Sequence, residues 1–441
     1  MASKTGSLQP SRGRDPRITM KILWVKAGGL VPPDRGGRIR SYHILRELAT
    51  RHRVTLFTFY AAQANDPHAE LNQIFDQVLC WPLPIATHRG LGELLSFARN
   101  VPRLWPHSVA KYCRPVVVRA MRELLAKESY DVLVCDFAMA AGVIPWDTPI
   151  PKVLFTHNVE AQIWQRHYQV SRNPLWKLIS WREYRKMMRF ERFCLERSQQ
   201  VLTVSEADRT FFSRFVDGAK LRVIPTGVDT EYFRPVPGLE RPASLVFTGA
   251  MDWMPNEDAM LHFVRAILPP IRQEIDDVEL TIVGRHPTPK LLAAVSGDSR
   301  IHVTGRVDDI RPYVHQGAVY VVPLRIGGGT RLKIFEAMAM GKAIVATTVG
   351  AEGLPLTNGC HLILADSPEG FAREVVSLLR EPGKRHRLGA AARGLVEQSH
   401  SWRSAAAEFD AALQSMIASV RRHTDPSIAV DGTLASRPNL N

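Results

Sequence analysis

Residues 319–353 contain the pattern that decides the fold: VYVVPLRIGGGTRLKIFEAMAMGKAIVATTVGAEG. The first five of them, residues 319–323, form a short apolar run of the kind found in buried parallel strands. Three glycines and Thr330, a good N-cap residue, come next, and helical apolar spacing then extends over residues 331–340. Gly341 suits the position that ends a helix, and a second apolar run follows it. The stretch therefore predicts a unit of strand, glycine loop, helix and strand.

Two cations, Arg331 and Lys333, stand at the start of this predicted helix. A cation in the first turn opposes the helix dipole and costs about 0.3–1 kcal/mol per group. The free backbone N–H groups make the same position an anion site, so the two cations are explained if a polyphosphate binds there. Glu336 lies one turn after Lys333 and is placed to accept hydrogen bonds from the paired hydroxyls of a sugar. The alternative is a glycine turn with two solvated cations and a surface carboxylate, because glycine loops are common.

The rest of the chain repeats the alternation of apolar runs and helical patterns. Strands are expected at residues 21–25, 54–59, 131–135, 152–155, 201–205 and 222–224, and in the second half at residues 245–248, 280–283, 301–304, 319–322, 343–347 and 362–364. Residues 61–115 show no regular pattern. Because such alternation is typical of parallel sheets, the sequence predicts an α/β protein with two similar halves and a cleft between them.

Local composition marks the ends of the chain and the junction between its halves. Residues 1–19 are polar and basic, and residues 422–441 are polar with Pro and Gly, so both are expected to be disordered. Prolines from residue 235 onwards indicate a linker. This places a first domain at residues 20–233 and a second at residues 234–399.

The overall composition limits the class of protein. The 441 residues are 45% hydrophobic and 23% charged, which is ordinary for globular domains. The five cysteines are scattered without a CxxC pair, which argues against a zinc site or a disulfide framework and favours a reducing cytosol. The net charge of +14 favours anionic partners. No apolar run is long enough to predict a membrane-spanning helix, and no nucleic-acid motif accompanies the charge.

Much of the positive charge falls in residues 164–197, where nine basic residues accompany three acidic ones and three tryptophans. We interpret this segment as one long helix. Basic residues with Trp and Phe suit the surface of an anionic membrane, so a cytoplasmic protein that docks at the inner face of the plasma membrane is one expectation. A domain helix with a solvated basic face is an equally good interpretation.

The glycine pair Gly36–Gly37 and His157 are two further candidates for ligand binding. Both lie next to predicted helices or strands, at the sheet edge where open α/β proteins bind ligands. Gly36 and Gly37 stand before a predicted helix and would let the backbone approach a phosphate, although a glycine pair is usually just a turn. His157 follows a predicted strand, and its imidazole can donate a hydrogen bond to a sugar hydroxyl and help to place the reacting carbon. Asn158 or Glu160 would orient it. The alternative is a loop histidine that caps the next helix.

The run PLRIGGGTRLKIFEAMAMGKAIVATTVGAEGL, residues 323–354, resembles the nucleotide-sugar site of the retaining glycosyltransferases of family 4. That resemblance implies the GT-B fold, with two Rossmann-like domains whose parallel sheets face a central cleft. More narrowly, the chain is similar to the family 4 sugar transferases linked to bacterial exopolysaccharide export. The similarity extends from about residue 20 to about residue 402.

The resemblance implies a role for each residue of the glycine loop and helix. Glu336 matches the final Glu of the family's Glu-x7-Glu motif and would hold the nucleotide ribose. The first Glu of that motif falls at Gly328, so backbone amides would replace its side chain, which leaves the donor sugar open. Arg331 and Lys333 would hold the diphosphate and stabilise its charge as it leaves. His157 would contact the donor sugar. The loop residues with backbone roles are Gly327, Gly328, Gly329 and Thr330.

The same resemblance assigns further positions to donor binding. Gly249 begins the segment GAMDWMPNEDA, directly after a predicted strand. Arg306 and Val307 would hold the nucleotide base through backbone groups. Gly36 and Gly37 match a glycine loop that lies near the donor phosphate and the acceptor.

The implied function is the transfer of a sugar, with retention, from a UDP- or GDP-linked donor to a saccharide or lipid-linked acceptor in exopolysaccharide or cell-envelope synthesis. The first domain would be the acceptor side and the second the donor side, with a C-terminal helix at residues 400–421 that crosses back to the first. No Asp-x-Asp motif is evident, so we expect no metal and no cofactor other than the nucleotide-sugar co-substrate. Two alternatives are a nucleotide-sugar epimerase of the same fold and a non-catalytic basic membrane-binding scaffold. The intact Arg331, Lys333 and Glu336 argue against the scaffold.

Overall fold

The computed structural model describes residues 20–33, 36–61, 69–83, 105–171, 173–326 and 332–424. These residues form two sheets with helices, and their contacts divide them into two compact units. The first unit contains the described residues up to Leu202, the segment Ser213–Arg222 and the described residues from Phe409 onwards, and the second contains Thr203–Phe212 and Val223–Glu408. Of the ends predicted to be disordered, residues 1–19 and 425–441 lie outside the described residues. For residues 422–424 the prediction was wrong, because they end the last helix.

The first sheet has seven strands in the order β3-β2-β1-β4-β5-β6-β7. The strands are β1 (Lys21–Lys26), β2 (Arg53–Ala61), β3 (Gln77–Leu83), β4 (Val132–Asp136), β5 (Lys152–Phe155), β6 (Gln200–Thr203) and β7 (Leu221–Val223). The pairs from β3 to β6 are parallel. The central strand β4 is buried along its whole length, which fits the continuous apolar run that predicted it. Strand β3 falls where the sequence showed no regular pattern.

Helices and short 3₁₀ segments accompany this sheet. They are α1 (Gly36–Leu48), Ala69–Gln73, α2 (His107–Ala110), α3 (Pro115–Lys127), Ala138–Val143, α4 (Glu160–Val170), α5 (Pro174–Arg197) and Gly218–Lys220. The next helix in the chain, α6 (Glu206–Phe212), belongs to the second unit.

The prediction of one long helix over residues 164–197 was wrong, because the segment forms the two helices α4 and α5. The side chain of Asn173 accepts hydrogen bonds from the backbone N of Leu175 (2.9 Å) and of Trp176 (3.2 Å). Pro174 occupies the first turn of α5, where its missing N–H is not needed. A proline also disfavours helical geometry in the residue before it, so the helix stops and starts again with a new cap.

The second sheet has six parallel strands in the order β10-β9-β8-β11-β12-β13. The strands are β8 (Ser244–Thr248), β9 (Glu279–Val283), β10 (Ile301–Val303), β11 (Val319–Val322), β12 (Ala343–Ala346) and β13 (Ile363–Leu364). Its helices are α7 (Met254–His262), the π-helical turn Phe263–Ile267, α8 (Leu268–Glu274), α9 (Pro289–Val295), α10 (Arg311–Gln316), α11 (Leu332–Ala339), α12 (Pro368–Arg380) and α13 (Pro382–Ser399).

Helix α11 ends as its sequence predicts. Gly341 has a φ of +67°, a conformation that favours glycine. Its N–H bonds to the carbonyl of Met338, and the N–H of Lys342 bonds to the carbonyl of Ala337. This pair of bonds is a Schellman motif, which satisfies the last carbonyls of the helix and turns the chain towards β12.

The last helix, α14 (Trp402–Thr424), contains the final residues of the second unit and continues into the first. Within the first unit the ring of Phe409 packs 5.2 Å from that of Trp24 and 5.1 Å from that of Phe155. Asp410 Oδ1 lies 3.0 Å from the Nε2 of buried His52. These contacts attach the C-terminal half of α14 to the first sheet.

Candidate nucleotide-sugar site

The carboxyl ends of the parallel strands in the second sheet lie along one edge, which brings together residues that are distant in sequence. Gly249 follows β8, in the middle of the sheet, while Arg306 and Val307 follow β10, at its margin. Arg306 is exposed, and Val307 packs against the core of the unit. The loop from β11 to α11 starts at the same edge.

Lys333 lies in the first turn of α11, and its ammonium group is held at the end of β8. Its Nζ donates a hydrogen bond to Asn256 Oδ1 (3.0 Å) and lies 4.1 Å from the ring centroid of Phe247. Asn256 is fixed in turn, because its Nδ2 donates to the carbonyl of Ala250 (2.9 Å). The cation therefore has a defined position at the ligand edge of the sheet.

Gly249 has a clear steric reason to be glycine. A Cβ at this position would lie 2.7 Å from Lys333 Nζ and 2.7 Å from Asn256 Nδ2. Both distances are too short for a real side chain. The glycine therefore makes room for the ammonium group and the amide, in addition to any direct contact with a ligand.

Glu336 follows Lys333 on α11 and is half-buried. Burial raises the pKa of its carboxyl group to about 7, although nearby Lys333 acts in the opposite direction. The neighbouring phenol of Tyr320 also has a raised pKa because of burial, and its oxygen bonds to Thr248 Oγ1. A ligand that donates hydrogen bonds would favour the ionised form of Glu336.

Five of the predicted donor-binding residues lie outside the described residues. They are Gly327, Gly328, Gly329, Thr330 and Arg331. The roles assigned to their backbone amides and to the guanidinium group stay predictions.

A second cluster of polar side chains lies at the carboxyl ends of β4 and β5 in the first sheet. Here buried His157 has a partner for each ring nitrogen: Arg40 Nη1 is 3.2 Å from Nδ1, and Asp136 Oδ1 is 2.8 Å from Nε2. A guanidinium group can only donate, so Nδ1 accepts and Nε2 carries the proton that is donated to Asp136. Arg40 and Asp136 therefore position the ring, in place of the predicted Asn158 or Glu160.

His157 is neutral at pH 7 in this environment. Burial lowers the pKa of its ring to about 4, helped by Arg40 and Lys26, although Asp136 acts in the opposite direction. The neutral ring matches the hydrogen-bond assignment, which leaves Nδ1 without a proton.

Two aromatic rings hold His157 in place. The ring of Phe137 stacks on it with 4.0 Å between centroids and an angle of 7°, and the ring of Phe155 lies at 4.4 Å. Phe137 has a φ of +70°, which is uncommon for a bulky residue. A Cβ on Gly37 would lie 2.6 Å from the Phe137 ring, so this glycine is required for the stack.

Asp136 also belongs to a buried ion pair. Its Oδ2 is 3.2 Å from Lys26 Nζ and accepts a hydrogen bond from Trp24 Nε1 (2.8 Å), and both charged side chains are at most 1% exposed. Burial by itself would raise the pKa of Asp136, but Lys26 and His157 outweigh it and hold the pKa well below its usual range. The carboxylate is therefore ionised, and its donors include Trp24, Lys26 and His157.

Two family models together match most of the chain. The model described as Glycosyltransferase Family 4 matches residues 35–232, and the model described as Glycosyl transferases group 1 matches residues 242–381. The chain belongs to glycosyltransferase family 4.

Curated relatives of this family 4 chain include mannosyltransferases. It is 28% identical over 268 residues to the MMP α-(1→4)-mannosyltransferase of Mycolicibacterium hassiacum, across 58% of this chain and 63% of that protein. It is 30% identical over 226 residues to a GDP-mannose-dependent α-(1-6)-phosphatidylinositol monomannoside mannosyltransferase of Mycobacterium tuberculosis, across 45% of this chain and 57% of that protein. The chain thus spans about three fifths of the length of these two relatives.

The fold is shared with solved structures of low sequence identity. HepE of Anabaena, in complex with UDP, aligns with a TM-score of 0.64 and 15% identity, over 90% of this chain and all of that chain. The family 4 chain therefore has the GT-B fold, and the predicted fold class of two Rossmann-like parallel sheets is confirmed.

Sequence reasoning did not single out Asp136, Lys26 or Arg40. Asp136 ends the buried strand VLVCD, and Lys26 ends the strand KILWVK. A charged residue at the end of an otherwise apolar buried strand predicts a buried ion pair, because a buried ion needs a partner. The partner itself follows from the register of β1 and β4, in which Lys26 stands opposite Asp136.

Proposed function

We propose that this chain moves a sugar from a UDP- or GDP-linked donor to a saccharide or lipid-linked acceptor, with retention at the anomeric carbon. The observation that supports this most is the ammonium group of Lys333, held at the ligand edge of the second sheet with Glu336 one turn later, in a member of family 4. The donor class is supported by one relative that depends on GDP-mannose and one fold neighbour that binds UDP. A role in exopolysaccharide synthesis rests on the sequence resemblance.

In this proposal each donor group has a protein partner of suitable chemistry. Lys333, together with Arg331, binds the diphosphate and stabilises the negative charge that develops as it leaves. Glu336 accepts hydrogen bonds from the ribose, and Arg306 and Val307 hold the base. The reaction requires no metal, because the two cations supply the positive charge.

His157 places the donor sugar in this proposal. Its Nε2–H is already donated to Asp136, so the ring can only accept a hydrogen bond from the ligand, at Nδ1. A sugar hydroxyl would donate to Nδ1 and displace Arg40 Nη1, which now lies 3.2 Å away.

Incubation with a panel of UDP- and GDP-sugars, followed by mass analysis of the products, tests the proposed function. We expect the protein to release UDP or GDP from one of the donors and to transfer the sugar to an added acceptor or to water. Addition of EDTA should leave the rate of this release unchanged. An epimerase would change the sugar without net transfer. Failure to release UDP or GDP from any donor would contradict the proposal.

Substitution of Glu336 tests the donor site in finer detail. Glu336→Gln keeps the size of the side chain but replaces a charged acceptor by a neutral one, a difference of about 1 kcal/mol or about fivefold in affinity. We expect wild type to prefer GDP or UDP over the 2′-deoxy form and the variant to lose most of this preference. Burial raises the pKa of Glu336 to about 7, and the terminal phosphate of the ligand also ionises in this range, so affinity should rise from pH 6 to pH 8 in both proteins but more steeply in wild type. Isothermal calorimetry measures both.

Glu369→Gln is the matched control, since Glu369 is an exposed carboxylate on α12 of the same unit. It should bind both nucleotides as wild type does. If the wild-type protein does not discriminate against the 2′-deoxy nucleotide, Glu336 has another role.

We also propose that α5 docks on an anionic membrane surface. At its N-terminal end Leu175, Leu178 and Trp181 are 53%, 60% and 44% exposed. Arg185 and Arg189, also exposed, continue the same face at helical spacing. Exposed apolar side chains beside exposed cations are the combination that binds lipid headgroups and the acyl boundary. Among the described residues, no helix combines the length and the apolar character needed to cross a bilayer.

Liposome flotation tests this docking. Each basic side chain near an anionic surface contributes about 1 kcal/mol, so Arg185→Gln with Arg189→Gln should weaken binding to phosphatidylglycerol vesicles by tenfold or more. The control is Arg119→Gln with Lys127→Gln, which removes two exposed charges from α3 instead. Equal flotation of the two double variants, or equal binding of wild type to neutral vesicles, would contradict the proposal.

A further inference from the structure

Phe137 directly follows β4 and has a backbone conformation that its side chain disfavours. Its φ is +70° and its ψ is 136°, close to a region that only glycine adopts readily. A bulky residue with a positive φ is an outlier, and strain of this kind is concentrated at functional sites. Glycine would adopt the conformation without steric cost, so the benzyl side chain at this position requires an explanation.

Backbone hydrogen bonds on both sides of Phe137 prevent it from relaxing. Its N–H donates to the carbonyl of Phe155 (2.9 Å), which continues the pairing of β4 with β5. Its carbonyl accepts from the N–H of Ala140 (3.0 Å) in the 3₁₀ turn Ala138–Val143. The surrounding structure therefore fixes the conformation, and any residue at this position has to adopt it.

The ring of Phe137 fits into a space that a neighbouring residue leaves open. A Cβ on Gly37 would lie 2.6 Å from the Cζ of this ring, so α1 carries no side chain at the point of contact. Two groups that bond to Asp136 contact the same ring. The His157 imidazole stacks on it with 4.0 Å between centroids, and Lys26 Nζ lies 4.7 Å from its centroid. The ring is therefore an integral part of this polar cluster.

The stack restrains His157 in a way that its hydrogen bonds do not. Asp136 and Arg40 bond to the two ring nitrogens, and two such bonds fix a line in the imidazole plane but allow rotation about that line. Phe137 restricts this rotation, because its ring lies only 7° from parallel to the imidazole. The lone pair of Nδ1 lies in the imidazole plane, so the stack also sets the direction from which Nδ1 accepts a hydrogen bond.

We propose that Phe137 is a positioning residue for sugar transfer: its ring sets the tilt of the His157 imidazole, and the strained backbone is retained because this position places a flat side chain against His157. The inference rests on the proposed function, in which a sugar hydroxyl donates to Nδ1 and displaces Arg40. After that displacement the bond to Asp136 remains, and the stack keeps Nδ1 directed at the sugar. Small errors in the placement of a reacting group reduce the rate strongly.

The experiment compares wild type with Phe137→Gly and Phe137→Ala, using the donor that wild type turns over fastest. Phe137→Gly removes the ring and relieves the strain, whereas Phe137→Ala removes the ring and keeps the strain. We expect both to lower the kcat for transfer about tenfold, with a Kd for the nucleotide diphosphate within about twofold of wild type. Amide exchange in β4 and β5 should be about fivefold slower in Phe137→Gly than in Phe137→Ala, because the strain outweighs the extra flexibility of unfolded glycine.

Two further variants separate the flat ring from its bulk and from the relief of strain. Phe137→Leu keeps a large apolar side chain but cannot stack, so its kcat should be as low as that of Phe137→Gly. Ala243→Gly is the control, since it relieves a φ of +51° just before β8 in the second unit and should keep the wild-type kcat. NMR reports on the stack itself. The ring protons of His157, identified by their loss in His157→Gln, should move downfield in Phe137→Gly, where the ring current of Phe137 is lost.

The outcomes separate this inference from the proposed function. If wild type releases no nucleotide diphosphate from any donor, both fail. If wild type transfers a sugar and Phe137→Gly or Phe137→Leu does so with the same kcat, the role of Phe137 is overturned and the proposed function stands. A parallel loss of nucleotide affinity, exchange no slower in Phe137→Gly than in Phe137→Ala, or unchanged chemical shifts of His157 would also overturn it.

Discussion

Lys333→Ala is expected to weaken the binding of UDP or GDP by at least tenfold. Charge-assisted hydrogen bonds to phosphate contribute on the order of 1.5–3 kcal/mol, and about 1.4 kcal/mol corresponds to a tenfold change in affinity. The ammonium group is already in position, because Asn256 and the ring of Phe247 hold it in the free protein. Little ordering cost is therefore left for the ligand to offset. Isothermal calorimetry with the nucleotide diphosphate measures the effect.

A second variant moves the same cation without removing it. In Gly249→Ala the new Cβ would lie 2.7 Å from Lys333 Nζ, so the ammonium group must shift and affinity should fall severalfold. Lys290→Ala, at an exposed lysine on α9, is the matched control and should bind as wild type does. Unchanged affinity in Lys333→Ala would remove the main support for the donor site.

The strands could be predicted wherever an apolar run is bounded by turns. The one described strand that was not predicted, β3, shows where this rule fails. Strand β3 was missed because its sequence, QVLCWPL, has neither strict alternation nor continuous burial. It is the edge strand beside β2 and includes Pro82, which an edge position tolerates because one side of its backbone needs no partners. The formation of an edge strand depends on pairing with its neighbouring strand more than on the hydrophobic pattern of its own sequence.

The two clusters differ in how far the sequence could predict them. Lys333 and Glu336 are three residues apart on one helix, so local spacing was enough to place them together. Asp136, Lys26 and Arg40 come from three separate elements, and their contacts depend on the order of strands in the sheet. Periodicity within one segment contains no information about that order.

Asp136→Asn should destabilise the first sheet by about 3–5 kcal/mol, the usual cost of removing one partner from a buried ion pair. The substitution leaves the ammonium group of Lys26 1% exposed and without a counter-ion. It also weakens the hydrogen bonds from Trp24 and His157. Amide exchange in β1 and β4, measured by mass spectrometry at pH 7, should accelerate by a hundredfold or more, as roughly that free energy implies. The strands β8 and β11 of the second sheet serve as the internal control.

Removing both charges separates the ion pair from other effects of the substitution. Asp136→Asn combined with Lys26→Met removes both partners of this ion pair, and replacing a buried pair by groups of similar volume is often close to neutral. We expect the double variant to recover most of the protection that the single variant loses. Equal exchange rates in wild type and Asp136→Asn would show that the pair contributes little.

Acid should act on the wild-type sheet through the same groups. Because burial lowers the pKa of His157 from 6.5 to about 4, the unfolded chain binds a proton between those values that the folded chain does not, and stability falls as the pH decreases through this range. Asp136 extends the loss to lower pH. Its folded pKa is held below the unfolded value of about 3.9, so its contribution is complete above that value and is lost as the pH falls further. Glu160 opposes the first loss, because burial raises its folded pKa to about 7 and the folded chain then binds the extra proton as the pH falls. In Glu160→Gln the urea concentration at which β1 and β4 lose protection should therefore decline from pH 6.5 to pH 4 and decline again below pH 4. Adding Asp136→Asn and Lys26→Met should remove the second decline, and a value that stayed constant down to pH 3 in Glu160→Gln would contradict the assigned charges of His157 and Asp136.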